Sequence, residues 1–289
     1  MDISEKIQSA SHSGAQLQVI RDDKHYLVQK TITSSLDKNY LGVEKQCCFT
    51  PLPTPTYTIQ AIPITNLIRD EKQLSITMPY IEGLGGERMA YRGSKTVARN
   101  LKTALDFYLI NSVAQSEDSI YPVDAIHLKL NEIEQKLKGN FHLFPKLAQK
   151  ITEFRDYCRQ DLKMPMGSCH GDLTLANLKI TEDNQLYLFD FLSCEIDSPL
   201  QDAAKIVQDF EYGWSFRKEK ESIRIKGEIF CQHAYPNFLT TLNRLFNYEM
   251  RVIEVLTLLR IAPYINSQDS ITIRWFNDVM AKSMNKLAR

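Results

Sequence analysis

Four polar residues stand at spacings that suit a reactive centre, in a part of the sequence that is otherwise apolar. His170, Asp172 and Asn177 lie in the segment SCHGDLTLANLKI. Asp190 follows in LYLFDFL, between two phenylalanines. An unpaired buried charge is costly, so strand-like segments rarely bury a carboxylate without a reason. A polar turn that only caps strands is the alternative interpretation, but it leaves Asp190 unexplained. We therefore expect these side chains to share a site.

The spacing of these residues indicates a particular chemistry. His-x-Asp-Leu-x-x-x-Asn, followed by an aspartate after a strand, is the catalytic-loop pattern of protein kinases. In phosphoryl transfer the protein supplies positioned charge around a phosphate chain and little covalent help. We expect Asp172 to orient a substrate hydroxyl and to take its proton late. Asn177 and Asp190 offer the hard oxygen ligands that Mg²⁺ prefers, and His170 is expected to fix the loop by hydrogen bonds.

Composition and charge exclude several classes of protein. The 289 residues include 35 Lys and Arg and 35 Asp and Glu, so no net field attracts nucleic acid or an anionic membrane. The first residues lack the apolar core of a signal peptide, and no apolar run is long enough to span a bilayer. The six cysteines include no Cys-x-x-Cys pair, which argues against a disulfide framework or a zinc site. We expect a cytoplasmic protein with reduced thiols, and the oligomeric state stays open.

The first eighty residues predict strands around one helix. AQLQVIRDDKHYLVQKTI predicts a hairpin that turns at RDDK. SSLDKNYLGVEKQCCF predicts a helix with Ser34 or Ser35 as its N-cap. Two further strands are expected around residues 57–62 and 74–78. PYIEGLGG, with one proline and three glycines, then predicts a joint between two lobes.

After this joint the sequence becomes mainly helical. Apolar residues recur three to four positions apart in several long segments, and again from SPLQDAAKIVQDF onward. The short segments NLKIT and QLYLFDF interrupt the helices and predict an inserted hairpin. The sequence therefore predicts an α+β protein of two lobes. Residues 1–80 form a nucleotide-binding lobe, 81–86 a hinge, and 87–289 a helical lobe with the catalytic loop and acceptor site.

The residues CHGDLTLANLKI and LYLFDF resemble the aminoglycoside phosphotransferase and choline kinase-like family of small-molecule kinases. Glycine between the histidine and the aspartate is typical of that family, and the resemblance runs from residue 168 to about 214. It implies a bilobal protein-kinase-like fold, with a small antiparallel-sheet N-lobe and a larger, mainly helical C-lobe. It also implies ATP and Mg²⁺ as cofactors, with GTP left open, and a small-molecule hydroxyl as acceptor. Asp202 matches the aspartate that supports the family's catalytic loop.

The resemblance also implies charged nucleotide contacts in the N-terminal lobe. Lys30, at the end of HYLVQK, stands where the family carries its phosphate-binding lysine. An ammonium in the cleft suits the phosphates, and a solvated lysine is the alternative. Glu44, in the following helix, is the candidate partner of Lys30, with a solvated helix glutamate as its alternative.

Two further segments are candidates for nucleotide contact. HSGAQLQVI would cover the phosphates, but Gly14 is its only glycine, which departs from the family's glycine-rich loop. The segment MPYIEG resembles the family's hinge, so the backbone of Pro79, Tyr80 and Ile81 is expected to contact the nucleotide base.

The acceptor stays open at this level. Acidic and aromatic residues after Asp190 suit a cationic acceptor such as an aminoglycoside or choline, although they equally suit a packed core with solvated acids. A sugar or sugar-like alcohol is as good a candidate. The residues concerned are Glu195, Asp197, Asp209, Glu211, Tyr212 and Trp214.

Two other classes of protein compete with a small-molecule kinase. A catalytically silent nucleotide-sensing or interaction module is favoured by the glycine-poor loop and opposed by the complete polar set. A protein kinase is disfavoured, because no activation segment ending in Ala-Pro-Glu follows Asp190.

Overall fold

The computed structural model describes residues 15–22 and 25–287 of the chain. The strands are β1 (Gln16–Asp22), β2 (His25–Ile32), β3 (Leu52–Pro53), β4 (Thr58–Ala61), β5 (Asn66–Arg69), β6 (Leu74–Pro79), β7 (Leu84–Gly85), β8 (Glu117–Tyr121), β9 (Leu162–Met166), β10 (Leu178–Ile180) and β11 (Gln185–Leu188). The helices are α1 (Leu36–Cys48), α2 (Glu87–Arg92), α3 (Lys95–Ala114), α4 (Val123–Leu137), α5 (Leu147–Tyr157), α6 (Pro199–Phe210), α7 (Glu221–Ala234), α8 (Phe238–Leu245), α9 (Asn247–Leu259) and α10 (Ser270–Leu287). Strands dominate before residue 86 and helices after it, which confirms the predicted α+β class.

The N-terminal sheet is antiparallel and has the strand order β1-β2-β6-β5. The predicted hairpin is confirmed as β1 and β2, and the second predicted strand of this sheet is β6. Strand β5 was not expected, because all four of its residues are exposed and it lacks the alternation that marks a half-buried strand.

The predicted helix is confirmed as α1, with Ser35 at its N-cap. Ser35 has a left-handed φ of 50° and its side chain makes no capping hydrogen bond. Apolar side chains of α1 and of the sheet form a small core of their own. Its buried members are Ile32, Val43, Ile62, Leu74, Ile76 and Met78.

A second sheet joins strands from the first 85 residues to the hairpin that follows the catalytic loop. Its order is β3-β4-β11-β10-β7, and β4 runs parallel to β11. Strand β4 is the one expected around residues 57–62, and its Ile59 lies in the large core of the C-terminal part. The predicted hairpin is confirmed as β10 and β11, and a strand from the first eighty residues extends it. The division into lobes at residues 80–87 stays a proposal, and β4 crosses it.

Helix α6 lies at the centre of the helical part. Eleven of its twelve residues are buried, and only Lys205 is not. A helix buried on all sides is normally apolar, but α6 carries Asp202 and Asp209, both fully buried. Such buried carboxylates need specific hydrogen-bond partners, and three of these partners are backbone amides of the catalytic-loop segment. Among the described residues, no helix combines the length and the apolar character needed to cross a bilayer.

Helix α1 packs closely against the chain that follows Asp190. A Cβ atom built at Gly42 would overlap the backbone carbonyl oxygen of Phe191. Phe191 is itself buried, with its ring centroid 5.6 Å from that of Phe49 just after α1. Glycine at position 42 thus permits the contact that joins the N-terminal lobe to this segment.

We predict that Gly42→Ala destabilises the protein, although alanine has the higher helix propensity. The new methyl group must displace backbone, and such overpacking costs about 1–3 kcal/mol. Urea unfolding of both proteins measures this difference. Gly139→Ala is the control, because no atom lies within 4 Å of the added methyl group. A stabilised Gly42→Ala variant would contradict the close contact.

Candidate active site

The catalytic-loop segment runs from β9 through a one-turn 3₁₀-helix (Leu175–Asn177) into β10. Gly171, between His170 and Asp172, has a φ of +85°. A Cβ atom there would also overlap Cys194 Sγ and approach Leu192 O. Only glycine adopts this conformation without strain, so the loop geometry explains the His-Gly-Asp sequence.

Asp202 holds the backbone of this loop. Its Oδ2 accepts hydrogen bonds from the His170 amide (2.8 Å) and the Tyr108 hydroxyl (2.7 Å). Its Oδ1 accepts one from the Gly171 amide (2.8 Å). Burial raises the pKa of Asp202, while these donors oppose the shift. The fully buried carboxylate of Asp202 thus accepts hydrogen bonds from two consecutive loop amides and one hydroxyl.

His170 links the loop to the end of β11. Its Nδ1 accepts a hydrogen bond from the Asp172 amide (3.2 Å), so its Nε2 is the nitrogen that donates to Phe189 O (3.0 Å). Burial lowers the pKa of His170, which favours this neutral form. The Leu192 amide also donates to His170 O (2.9 Å). These bonds hold the chain on both sides of Asp190 against the catalytic loop.

Asp172 has a fixed partner on each carboxylate oxygen. Lys205 Nζ lies 3.0 Å from Oδ1, and Asn177 Nδ2 donates to Oδ2 (3.0 Å). Burial raises the pKa of Asp172, but the Lys205 ammonium and the other donors outweigh it, so the pKa lies below its ordinary value. The carboxylate is therefore held ionised and in one orientation.

Asn177 and Asp190 are neighbours at the open end of the β10–β11 hairpin. The Phe189 amide donates to Asn177 O (3.3 Å), which places Asp190 one residue beyond this pair. Asn177 Nδ2 is committed to Asp172 O (2.8 Å) and Oδ2, so its side-chain oxygen is left as an acceptor. Asp190 has a φ of 60°, a conformation that is uncommon outside glycine and clusters at functional sites. The amide oxygen of Asn177 and the carboxylate of Asp190 are of the ligand types that Mg²⁺ prefers.

Lys30 pairs with Asp190 and not with Glu44. Lys30 Nζ lies 2.8 Å from Asp190 Oδ1, and the lysine side chain is only 11% exposed. Glu44 is exposed on α1, and within the described residues it forms no ion pair with Lys30. The next residue, Lys45, faces the site instead: it donates to Leu192 O (3.3 Å) and pairs with Asp197. The structure thus corrects the expected Lys30–Glu44 pair, because Glu44 lies on the solvent side of the helix.

Two of the cysteines come together beside this contact. The Sγ atoms of Cys169 and Cys194 and a carboxylate oxygen of Asp197 lie within 4.8 Å of one another. The Lys45 ammonium pairs with the same carboxylate, so a lysine supplies the positive charge at this cluster. All six cysteines are free thiols.

The candidate nucleotide-binding segments lie only partly within the described residues. Gly14 lies outside the described residues. Pro79 ends β6, and the Tyr80 amide donates to Tyr26 O (2.7 Å). The carbonyl of Ile81 accepts a hydrogen bond from Lys179 Nζ (2.8 Å). Two backbone groups of the expected hinge are therefore already engaged within the chain.

Sequence reasoning missed two residues that organise the loop, Tyr108 and Lys205, and it considered Asp209 only as a candidate for the acceptor site. Asp209 is fully buried, and its carboxylate accepts hydrogen bonds from the Leu175 amide (2.6 Å) and from the amide and hydroxyl of Ser215 (both 2.7 Å). The spacing of Asp202, Lys205 and Asp209 in QDAAKIVQD was a usable signal, since positions three and seven residues apart lie on one face of a helix. Tyr108 had no comparable signal.

The other acidic and aromatic candidates for the acceptor site contact groups of the protein itself. Glu195 pairs with Lys129, and Asp197 with Lys45. Glu211 and the ring of Tyr212 contact the Lys286 ammonium, while Trp214 packs on Trp275 with ring centroids 5.1 Å apart. These contacts do not select one acceptor class.

We predict that Asp202→Ala lowers the free energy of unfolding by about 3 kcal/mol or more, because it leaves two buried amides and a hydroxyl without their charged acceptor. Urea unfolding measures the change. Asp278→Ala is the matched control, since Asp278 is an exposed helical aspartate and its removal should change stability by less than about 0.5 kcal/mol. Equal effects of the two substitutions would show that Asp202 does not hold the loop.

Comparisons with known proteins show what this chain is similar to. Residues 123–226 match the model of the phosphotransferase enzyme family, a range that includes Asp172, Asn177, Asp190 and Asp202. No curated protein matches the chain in sequence.

Two solved structures cover almost the whole chain. One is a candidate fructosamine-3-kinase from Haemophilus somnus 129PT, with a TM-score of 0.53, 12% identity, and coverage of 96% of this chain and 89% of that one. The other is choline kinase LicA from Streptococcus pneumoniae, with a TM-score of 0.50, 14% identity, and coverage of 98% and 97%. The resemblance to small-molecule kinases is therefore confirmed: the chain carries the sequence pattern of the phosphotransferase enzyme family over residues 123–226 on a protein-kinase-like fold.

Proposed function

We propose that this protein is a phosphotransferase that transfers the γ-phosphoryl group of ATP or GTP to a hydroxyl of a small molecule. One observation carries the proposal: Asp172, Asn177 and Asp190 meet at one end of the β10–β11 hairpin, with the Asn177 amide nitrogen bound to Asp172. In this arrangement Asp172 can act as the base, while Asn177 and Asp190 provide two oxygen ligands for a metal ion. A nucleotide donor is in keeping with the cytoplasmic location expected from the sequence.

Each residue has a distinct role in the proposed reaction. Asp172 accepts the hydrogen bond of the attacking hydroxyl, orients it towards the phosphoryl group and receives its proton late. The oxygens of Asn177 and Asp190 would hold Mg²⁺, which supplies positive charge to the phosphate chain when bound. Lys30 Nζ lies 2.8 Å from Asp190 Oδ1. Because Asp190 is one of the proposed metal ligands, this ammonium is also close enough to neutralise the phosphates of a nucleotide bound there.

Lys205 adds a second positive charge to the proposed site. Its side chain is 14% exposed and its ammonium lies 3.0 Å from Asp172 Oδ1, so it is next to the position where the hydroxyl approaches. A positive charge there keeps Asp172 ionised and offsets negative charge that gathers during transfer. Lys205 and Lys30 thus contact the two aspartates separately.

A catalytically silent nucleotide-sensing or interaction module is the second candidate. Two backbone groups of the expected hinge are already engaged, which favours it. The complete set of base and metal ligands opposes it, because a silent site has no use for both.

The proposal is tested by a nucleoside diphosphate-release screen with ATP and with GTP, in the presence of Mg²⁺, over sugars, amino alcohols and aminoglycosides. We expect acceptor-dependent release with at least one acceptor class. Tight nucleotide binding without turnover on any acceptor would favour the silent nucleotide-sensing module. The absence of any nucleotide binding would reject the phosphotransferase and leave only the interaction module.

We predict that Asp172→Asn lowers turnover by about a hundredfold or more while leaving nucleotide affinity nearly unchanged, because it removes the base but neither metal ligand. Steady-state kinetics and calorimetric titration with nucleotide measure the two quantities. Near-normal turnover would show that Asp172 is not the base.

We predict that Asp190→Ala abolishes the part of nucleotide binding that depends on Mg²⁺. At a fixed nucleotide concentration, tighter binding raises the melting temperature further, so thermal unfolding with nucleotide, with and without Mg²⁺, measures the effect. Asp183→Ala, at an exposed aspartate in the turn of the same hairpin, is the control and should behave as the unmodified protein. A full Mg²⁺-dependent shift in Asp190→Ala would remove Asp190 from the metal site.

A further inference from the structure

Lys179 is a charged residue in an unusual position, on β10 at the boundary between the two cores. Its neighbours Leu178 and Ile180 are buried in the large core, so Lys179 projects from the other face of the sheet. Its cross-strand partner is Tyr187. Tyr187 and Ile81 both pack against the small N-terminal core. Lys179 therefore lies between the lobes, next to the expected hinge.

The hinge segment is folded around this lysine. Lys179 Nζ donates a hydrogen bond to Ile81 O (2.8 Å) and lies 5.0 Å from the centre of the Tyr80 ring. Its carbon chain passes the glycines of the segment: a Cβ atom at Gly83 would lie 3.2 Å from Lys179 Cγ, and one at Gly85 3.3 Å from Cε. The ammonium thus takes the carbonyl that a nucleotide base would otherwise use.

The distance to the metal end suits a nucleotide. Asp190 follows Tyr187 by three residues along the hairpin strand, and at about 3.3 Å per residue this is roughly 10 Å. A base beside Lys179 and phosphates beside Asp190 and Lys30 are therefore separated by a distance that one extended nucleoside triphosphate spans.

The chemistry of the ammonium then selects among purine bases. A lysine ammonium has three donors and no acceptor. Adenine presents an exocyclic amine, a donor, which needs an acceptor such as the Ile81 carbonyl and meets the ammonium there instead. Guanine and hypoxanthine present an exocyclic carbonyl oxygen, which can accept a hydrogen bond from Lys179 while the lysine keeps its bond to Ile81.

We propose that Lys179 is a specificity-determining residue that makes the site prefer a purine with a carbonyl at position 6, so that GTP rather than ATP is the phosphoryl donor. This inference rests on the proposed function, because it assigns the base to the same nucleotide site. The competing explanation is that Lys179 only braces the hinge through Ile81.

The test is calorimetric titration of the protein with GTP, ITP and ATP in the presence of Mg²⁺. ITP and ATP differ only in the groups at the position-6 edge of the base, so their comparison isolates the contact that Lys179 would make. We expect GTP and ITP to bind about tenfold or more tightly than ATP, the ratio that one charge-assisted hydrogen bond supports. Lys179→Met should remove this preference, and Lys163→Met, at an exposed lysine on β9, should retain it.

The outcomes separate the inference from the proposed function. Equal binding of the three nucleotides, or tighter binding of ATP, overturns the role of Lys179 and leaves the phosphotransferase intact. A preference for GTP that ITP does not share overturns it too, because the 2-amino group would then be responsible. A preference for GTP and ITP that is retained in Lys179→Met shows that Lys179 only braces the hinge. Failure of all three to bind to either protein rejects the nucleotide site itself.

Discussion

The buried carboxylate of Asp202 is the constraint on which the candidate site depends. Removing a charge from water is expensive, and only directed donors offset the cost. Asp202 obtains these donors from the Tyr108 hydroxyl and from the amides of His170 and Gly171. The two amides are consecutive, so their common acceptor fixes the direction of the chain just before Asp172. The positive φ of Gly171 is the backbone conformation that this requires.

The same helix repeats this arrangement along its length. One face of α6 contacts the loop at three points: Asp202 binds the start of the loop, Lys205 the carboxylate of Asp172, and Asp209 the Leu175 amide. The His170 ring then connects the loop to Phe189 O, next to Asp190, by a hydrogen bond. From the other side, α1 reaches the chain after Asp190 through Gly42 and Lys45. Each of these contacts restrains either the proposed base or the proposed metal ligands.

Much of this organisation could be predicted from local sequence, and the remainder could not for identifiable reasons. The motif residues and the β10–β11 hairpin lie within one short stretch, so their proximity follows from chain geometry. The partner of Lys30 depends on which side of α1 faces the cleft. Glu44 and Lys45 are adjacent, and only the packing of Gly42 against Phe191 decides that Lys45 faces inward. The parallel pairing of β4 with β11 joins residues more than a hundred positions apart, so no local sequence pattern predicts it. Helix α6 and the supporting role of Asp202 were expected, but the burial of the helix on every side was not, because Asp209 suited a solvated position equally well.

The central claim is that the catalytic loop is ordered by the protein alone, before any ligand binds. Hydrogen–deuterium exchange of the amides of His170, Gly171 and Leu175 in the unliganded protein tests it most directly, because these are the amides bound to Asp202 and Asp209. The account predicts that they exchange as slowly as the amides of α6, which open only with the core. Exchange as fast as that of exposed turns would contradict it, and would mean that the loop takes its form only when substrates bind.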